Sequence, residues 1–393
     1  MTKKILIIPA NDILRHPIPS RIYHIARHLA KDYDITIFSY PNHPLGNNIL
    51  RKLNAKEVTY KTIKTKDLST YYLVNAPAML PIMEKIIKEV DVVIHANVLP
   101  SVMATKIAKK YRKTAIYDYL DFFPQSAAAY YRGSMKSLIE KGVMLLTQEA
   151  IKNSTAIVTP SFGLALFLSR FTRKPIHVIP NGVDSDLFKP MSTDSARKFI
   201  GIDYDGPILL LYGSIDVWLN IEPLLYAVKK NRNVRLLIVG YSHAKYYYRL
   251  LEGLIRKLNL QNRVYKYPPQ PYEKIPYFVN TSNIVAAPFT RGIKNYATPL
   301  KIMESLACAR PVITTDISEF KLWFKEGIFY YRSSQDAYEL LNELTEKFDI
   351  IHNHLLKYSK LVRNRYSWKN IAETYKRVIE NPYHAVSRYW HST

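Results

Sequence analysis

The chain alternates between short apolar runs and longer segments in which apolar residues recur every three or four positions. Residues 3–10 form an apolar run of strand length, whereas Ile22, Ile25 and Leu29 follow helical spacing. This alternation continues to residue 181 and restarts at residue 207, which indicates parallel sheets covered by helices. It predicts strands at 3–10, 34–40, 91–96, 114–119, 155–161, 176–181, 207–215, 234–240, 262–267, 284–289 and 311–315. It predicts helices at 18–33, 81–90, 101–112, 135–154, 162–171, 221–231, 246–259, 272–282, 299–309, 334–348 and 367–380.

Residues 179–190 interrupt this alternation. Asn181-Gly182 is a strong turn signal and Pro190 marks a second break. A chain of 393 residues also exceeds the size at which single cores stop growing, so two domains are expected. We predict domains at 1–180 and 206–366, a connection at 181–205, and a C-terminal segment at 367–393. The ligand site is expected in a cleft between the domains, at the carboxyl ends of their strands.

The segment 294–316 carries the most specific pattern. Thr298 stands where an N-cap oxygen is wanted, and Pro299 follows at the first helical position. Lys301 then lies in the first turn, where a cation opposes the helix dipole unless an anion binds there. Glu304, on the same face, is placed to accept hydrogen bonds from sugar hydroxyls. The pattern predicts a phosphate site; the alternative is a solvated Lys–Glu pair on an exposed helix.

The charge and composition of the chain limit the classes of partner that it is expected to bind. The net charge of +24 favours polyanions: nucleic acid, anionic lipid or phosphorylated substrates. No nucleic-acid reader motif accompanies the charge, so phosphate or a membrane surface is the better interpretation. Cys308 is the single cysteine, which excludes an internal disulfide and a cysteine-based zinc cluster.

No apolar run reaches the ~18–20 residues that cross a bilayer. Asn11 and Asp12 also follow the first apolar run too soon for a signal peptide. We therefore expect a cytoplasmic chain, either soluble or peripheral at the inner face of the membrane.

Four ordered stretches make the chain resemble the glycosyltransferases of the GT-B fold, particularly family four (glycosyltransferases group one). They are residues 179–190, 210–227, 234–240 and 299–315, and the terminal segment 367–380 is similar to the family's last helices. The resemblance covers roughly residues 155–380 well. It implies two Rossmann-like domains facing a cleft, with the C-terminal helix returning to the first domain. It also implies that the second domain holds a nucleotide-sugar and the first binds the acceptor.

Carried over by position, the resemblance implies a donor site on the second domain. Gly213 ends a strand where a side chain would crowd the diphosphate, and Gly240-Tyr241 ends the next strand near the nucleotide. For the two glycines an ordinary turn role is an equal alternative. Tyr267, or a backbone group near Pro268, is placed to contact the base, with a surface proline loop as the alternative. The residues that correspond to those holding phosphate and ribose are Thr298, Lys301 and Glu304.

Two departures from the family pattern affect this site. Tyr296 stands where the family has the first of two glutamates, so the usual contact to the donor sugar is absent. The loop 214–220 lacks the Arg and Lys that are common in the family. Lys301, with Arg291 or Lys294, would have to neutralise the diphosphate. Two residues of the loop are candidates to replace the lost contacts: Trp218, for which a buried anchor is the alternative, and Asn220.

In the first domain, Asp118 and Asp121 follow the strand at 114–119. Some relatives have a His-Asp pair here, and Leu120 takes the His position. Asp121 is a candidate general base for an inverting transferase, whereas a retaining enzyme needs none on that face. A carboxylate that caps the next loop is the alternative for both. The loop cations Arg15, His16 and Arg21 are placed to meet an acceptor pyrophosphate or to remain solvated.

The function expected is transfer of a sugar from a UDP-, GDP- or ADP-sugar to a glycan or lipid-linked acceptor, with an anionic membrane surface as a further partner. No metal is expected, because no Asp-X-Asp-type donor site stands out in a suitable loop. Retention or inversion stays open. The alternatives are a nucleotide-sugar hydrolase or epimerase of the same fold and, with only charge in its favour, a nucleic-acid-binding protein.

Overall fold

The computed structural model describes residues 2–44, 46, 50–129, 131–242, 245–290, 296 and 298–384. The chain divides into two compact units. The first contains Met1–Asn181 and Trp368–Thr393, and the second contains Gly182–Ser367. Most of the segment that the sequence predicts as a connection therefore belongs to the second unit, where it forms a helix at Thr193–Ile200.

The first unit is built on a seven-stranded sheet of order β3-β2-β1-β4-β5-β6-β7, and every neighbouring pair is parallel. Its central strands are buried on both faces, as in the run Val92–His95, because helices cover the sheet on each side. The strands are β1 Lys4–Ile8, β2 Asp34–Ser39, β3 Lys56–Thr59, β4 Val92–His95, β5 Thr114–Asp118, β6 Ala156–Thr159 and β7 Ile176–Val178.

Seven helices of the described chain complete the first unit. Six of them are α1 Arg21–Leu29, α2 Leu68–Glu89, α3 Leu99–Lys110, α4 Phe123–Ala128, α5 Gly133–Asn153 and α6 Phe162–Leu168. The seventh is the last helix of the chain, Trp368–Glu380, which packs against α1. His24 of α1 stacks on Trp368 with ring centroids 4.7 Å apart, and Tyr33 donates to Glu380 at 2.7 Å. The predicted return of the C-terminal helix to the first domain is confirmed.

The second unit has a six-stranded parallel sheet of order β10-β9-β8-β11-β12-β13. Strand β8 lies at its centre and is apolar and fully buried from Ile208 to Leu211. The strands are β8 Ile208–Ser214, β9 Arg235–Tyr241, β10 Val264–Tyr267, β11 Ile284–Ala287, β12 Val312–Thr315 and β13 Ile328–Tyr331. The helices are α7 Thr193–Ile200, α8 Glu222–Lys230, α9 Lys245–Lys257, α10 Ile275–Thr281, α11 Leu300–Ala307, α12 Ser318–Trp323, α13 Ser334–Glu346 and α14 Phe348–Arg365. The final helix Trp368–Glu380 is therefore α15.

The two sheets and their parallel pairing confirm the predicted α/β class, but several elements exceed the prediction. Helix α2 runs for 22 residues through Pro77 and Pro81, whereas the sequence predicts only its last part. Asp67 caps this helix by accepting from the Thr70 N–H at 2.9 Å, and Tyr71, Met79 and other apolar side chains bury one face of the helix in the core. This packing outweighs the two prolines, which the sequence alone presents as breakers.

Candidate functional site

Two glycines lie one residue before the ends of neighbouring strands at the centre of the second sheet. Gly213 of β8 lies directly opposite Gly240 of β9. Gly213 has a φ of 94° and Gly240 a φ of 154°. A Cβ on Gly240 would lie 1.9 Å from the Gly213 carbonyl oxygen, so no side chain fits there. The strand ends therefore approach each other at a distance that only glycine permits, and they leave bare backbone at the carboxyl edge of the sheet.

The Lys301 side chain reaches across to this edge. Its ammonium donates to the Tyr212 carbonyl oxygen at 2.8 Å and lies 5.5 Å from the centre of the Phe289 ring. A Cβ built on Gly213 would be 3.8 Å from the lysine Nζ, so the ammonium lies beside the space that the glycine leaves open. Lys301 is half-buried. A cation is thus held next to exposed backbone at the end of the central strand.

The start of α11 differs from the predicted one. The sequence predicts Thr298 as N-cap, but the helix begins at Leu300 and its N-cap is Pro299, with ψ at 136° and no side-chain capping bond. Pro299 takes this place because its fixed φ suits an extended residue that leads into a helix. Thr298 is 3% exposed and lies before the cap. Lys301 remains in the first turn, as predicted, at the positive end of the helix dipole.

Glu304 is held by two tyrosines that no sequence motif indicates. One carboxylate oxygen accepts from the Tyr212 hydroxyl at 2.8 Å, and the other accepts from the Tyr272 hydroxyl at 2.8 Å. Burial raises the pKa of Glu304, and the two hydroxyl donors oppose this. The carboxylate is 4% exposed, so it is fixed in position rather than displayed on a helix surface. The predicted alternative of a solvated Lys–Glu pair is wrong.

The sequence predicts Tyr267 and Tyr241 near the nucleotide. The Tyr267 hydroxyl donates to the Ile200 carbonyl at 2.9 Å, and its ring meets Phe278 edge to face at 5.1 Å. Its side chain therefore packs between α7 and α10. Tyr241 ends β9, but its side chain lies outside the described residues, as do Arg291 and Lys294.

The loop after β8 is tied to the segment after β11. The Trp218 carbonyl accepts from the backbone N–H of Thr290 at 2.8 Å and from its hydroxyl at 3.1 Å. The Asn220 N–H donates to the Pro288 carbonyl at 2.6 Å. These bonds hold a loop without cations in a defined position beside Phe289 and Lys301. The sequence predicts the lack of cations but not this attachment.

In the first unit, the predicted carboxylates have different environments. Asp118 ends β5, is 2% exposed and forms an ion pair with Arg21 at 3.5 Å. Burial raises the pKa of Asp118 to about 6, although the positive charge of Arg21 opposes the rise. Arg21 also donates to the Pro180 carbonyl at 2.5 Å and to the Asn181 side chain at 3.2 Å. Arg21 is therefore an interior residue that joins β5 to Pro180 and Asn181, where the first segment of this unit ends. It is not a solvated loop cation.

Asp121 is partly exposed and organises the turn into α4. One carboxylate oxygen accepts from the Phe122 N–H at 2.8 Å, and the other accepts from the Ser126 hydroxyl at 2.8 Å. This is the loop-capping arrangement that the sequence left as an alternative. Capping does not in itself exclude proton acceptance, because a carboxylate oxygen has more than one lone pair.

The remaining predicted cations of the first unit are also engaged. Arg15 pairs with Asp12 at 3.0 Å and with Glu57 at 2.7 Å. The His16 ring contacts the Ile18 backbone, 2.7 Å from its carbonyl oxygen. This loop is held in place by its own charges and backbone.

The described part of the chain contains no group of three or more His, Cys, Asp or Glu side chains suited to a metal ion. Every helix in it is too short or too polar to pass through a bilayer.

Known proteins share this architecture. Sucrose-phosphate synthase from Thermosynechococcus elongatus superimposes with a TM-score of 0.78 at 16% identity, over 97% of this chain and 99% of that chain. The Anabaena protein HepE in complex with UDP-glucose gives 0.70 at 16% identity, over 96% and 99%. At these identities the likeness shows the fold, which is the two-domain GT-B fold.

Sequence comparison gives two family matches. Residues 192–348 match the family described as glycosyl transferases group 1, and residues 19–187 match glycosyltransferase family 4. Together these two matches cover most of the chain and support a group 1 glycosyltransferase. A lipopolysaccharide 1,2-N-acetylglucosaminetransferase from Salmonella typhimurium is 24% identical over 245 residues, which are 58% of this chain and 63% of that enzyme. The match thus spans less than two thirds of that relative.

Proposed function

We propose that this chain transfers a sugar from a nucleotide diphosphate to a glycan or lipid-linked acceptor, with a UDP-sugar as the first donor to test. The two family matches support glycosyl transfer. The solved complex of HepE with UDP-glucose supports the choice of base. The Salmonella relative, whose name gives a lipopolysaccharide acceptor, supports a glycan or lipid-linked one.

The observation that carries the proposal is the position of Lys301 beside Gly213. A diphosphate needs backbone that it can approach closely and a positive charge to neutralise it. The strand-end glycines provide the first, and the ammonium, in the first turn of α11, provides the second. Glu304, fixed by Tyr212 and Tyr272, offers its remaining lone pairs to the hydroxyls of a ribose.

On the acceptor side we propose Asp121 rather than Asp118 as the group that takes a proton. Asp121 is partly exposed, whereas Asp118 is buried and paired with Arg21. Asp118 then acts as a structural partner of Arg21. The assignment applies only if transfer inverts the sugar, because a retaining reaction needs no base on that face.

Binding of UDP, GDP and ADP by calorimetry tests the donor site. We expect UDP to bind the wild type and Lys301→Ala to bind it about ten- to hundredfold more weakly, because a charge-assisted hydrogen bond contributes about 1.5–3 kcal/mol. Lys347→Ala is the matched control. Lys347 is an exposed lysine of the same unit that pairs with Glu343 at 2.9 Å, at the C-terminal end of α13.

Equal loss of affinity in both variants would contradict the assigned site. Transfer itself is tested by nucleotide release from UDP-sugars with and without lipopolysaccharide-type acceptors. Release that depends on acceptor supports transfer. Release of free sugar without acceptor would instead identify a hydrolase, and an altered donor an epimerase.

A further inference from the structure

Helix α5 presents large apolar side chains to solvent along one face. Leu138 and Leu145 are 64% and 66% exposed and lie seven residues apart, which is two helical turns. Met135, one turn before Leu138, is 49% exposed. The buried residues of the helix are confined to its last two turns, as with Thr147, Ala150 and Ile151. The first two thirds of α5 therefore expose an apolar stripe instead of packing it.

Basic side chains accompany this stripe. Lys141 lies one turn after Leu138, and Lys152 continues the seven-residue spacing of the two leucines; both are exposed. Arg132 and Lys136, at the start of the helix, are exposed as well, but Lys136 precedes Leu145 by two and a half helical turns and so lies on the other side of the helix.

The two acidic residues of α5 do not balance this charge. Glu140 is half-buried, and Glu149 pairs with Lys106 of α3 at 3.1 Å. The outward face of α5 is thus apolar and positively charged, which is the pattern of helices that lie in the interface of an anionic bilayer.

We propose that α5 docks on an anionic membrane surface, lying in the plane of the headgroups with Met135, Leu138 and Leu145 inserted and the cations at the phosphates. Charge complementarity selects this occupant, because a second copy of α5 would bring like charges together. The inference concerns attachment of the chain and does not depend on which sugar it transfers. It assigns part of the net charge of +24 to a membrane-binding surface on α5.

Flotation with lipid vesicles tests the proposal. The full chain should float with vesicles of phosphatidylcholine and phosphatidylglycerol and not with phosphatidylcholine alone. The variant Leu138→Glu/Leu145→Glu should lose binding at least about tenfold, because it removes the inserted side chains. Lys141→Ala/Lys152→Ala should weaken binding about fivefold per lysine, and added salt should reduce that difference.

The matched control is Leu322→Glu/Ile350→Glu. These residues are 59% and 73% exposed on helices of the second unit, so the variant carries the same change of charge and hydrophobicity. Circular dichroism confirms that each variant is folded. The control should float like the wild type.

Equal loss in the control and in the α5 variant would overturn the proposal, as would a wild type that does not float. A wild-type dimer that becomes a monomer in Leu138→Glu/Leu145→Glu would assign the face to a second copy of the chain instead. Light scattering on the same samples gives this result.

Discussion

The two units of this protein wind their sheets in the same way but finish their strands with different chemistry. In each, the first strand of the unit lies inside, the next two strands extend to one side, and the later strands extend to the other. The first unit ends β5 in Asp118, paired with Arg21 in the interior. The second has Gly213 and Gly240 one residue before the ends of β8 and β9, beside the ammonium of Lys301. A shared backbone plan thus fixes where a site forms, and a few residues at the strand ends fix what it can bind.

The two units also differ in the number of histidines that are buried in their interiors. In the first unit, burial lowers the pKa of His24, His43 and His95 to about 3 in each case. In the second unit, burial lowers the pKa of His352 too, but that ring is only half-buried. Protonation of buried histidines should therefore destabilise the first unit more than the second.

Low pH should give the largest difference in stability between the two units. A histidine whose pKa is lower in the folded state stabilises the fold above its unfolded value of 6.5, and this contribution is lost as the pH falls toward 3. At about pH 4.5 each buried histidine of the first unit should cost about 2–3 kcal/mol. Asp12 and Asp118 act in the opposite direction, because their raised pKa values favour the fold at low pH, but they are two groups against the three histidines. Amide exchange by mass spectrometry should show the first unit opening at a higher pH than the second.

His24→Phe is the control for that experiment. Phenylalanine retains the stack on Trp368 and removes the titrating ring, so the acid transition of the first unit should move to lower pH. Opening of the second unit first, or an unchanged transition in His24→Phe, would contradict the comparison.

Removal of Arg21 should give the next largest effect. Arg21→Met leaves the Asp118 carboxylate buried without its partner, which should lower the free energy of unfolding by about 3 kcal/mol at neutral pH. Denaturant unfolding measures it. The double variant Arg21→Met/Asp118→Leu should recover much of the loss, because two apolar side chains need no compensation. If the double variant is as unstable as the single one, the pair is not the cause.

A methyl group on Gly240 should have a smaller effect, of about 2 kcal/mol. Gly240→Ala places a carbon against the Gly213 carbonyl oxygen, so the end of β8 or β9 must move. Gly253→Ala, within α9 and with nothing near the added carbon, should stabilise the chain by about 0.5–1 kcal/mol. Thermal unfolding of both variants checks the contrast. Equal shifts would mean that the strand ends are not tightly apposed.

The sequence predicts the regular parts of this fold well because their signal is local. Strands such as β8 and β12 are continuous apolar runs, and helix α11 has clear periodicity. The sequence does not predict several elements whose local apolar signal is weaker. Strand β3, at Lys56–Thr59, is a polar edge strand with little apolar signal, and β13 and α14 were not predicted either.

The site shows the same division. Lys301 and the two glycines follow from short motifs, so the sequence alone is enough to propose them. The tyrosines that hold Glu304 do not, because Tyr212 lies 92 positions away and Tyr272 lies 32 away. Only the fold brings such residues together. Asp118 could not be separated from Asp121 for the same reason, since its partner Arg21 is distant in sequence.

A crystal structure of the chain with bound UDP tests the central claim most directly. The account predicts the diphosphate at the start of α11, in hydrogen-bond contact with the Lys301 ammonium and over the backbone at Gly213. A nucleotide bound elsewhere, with Lys301 still directed to the Tyr212 carbonyl and no phosphate beside it, would contradict the account.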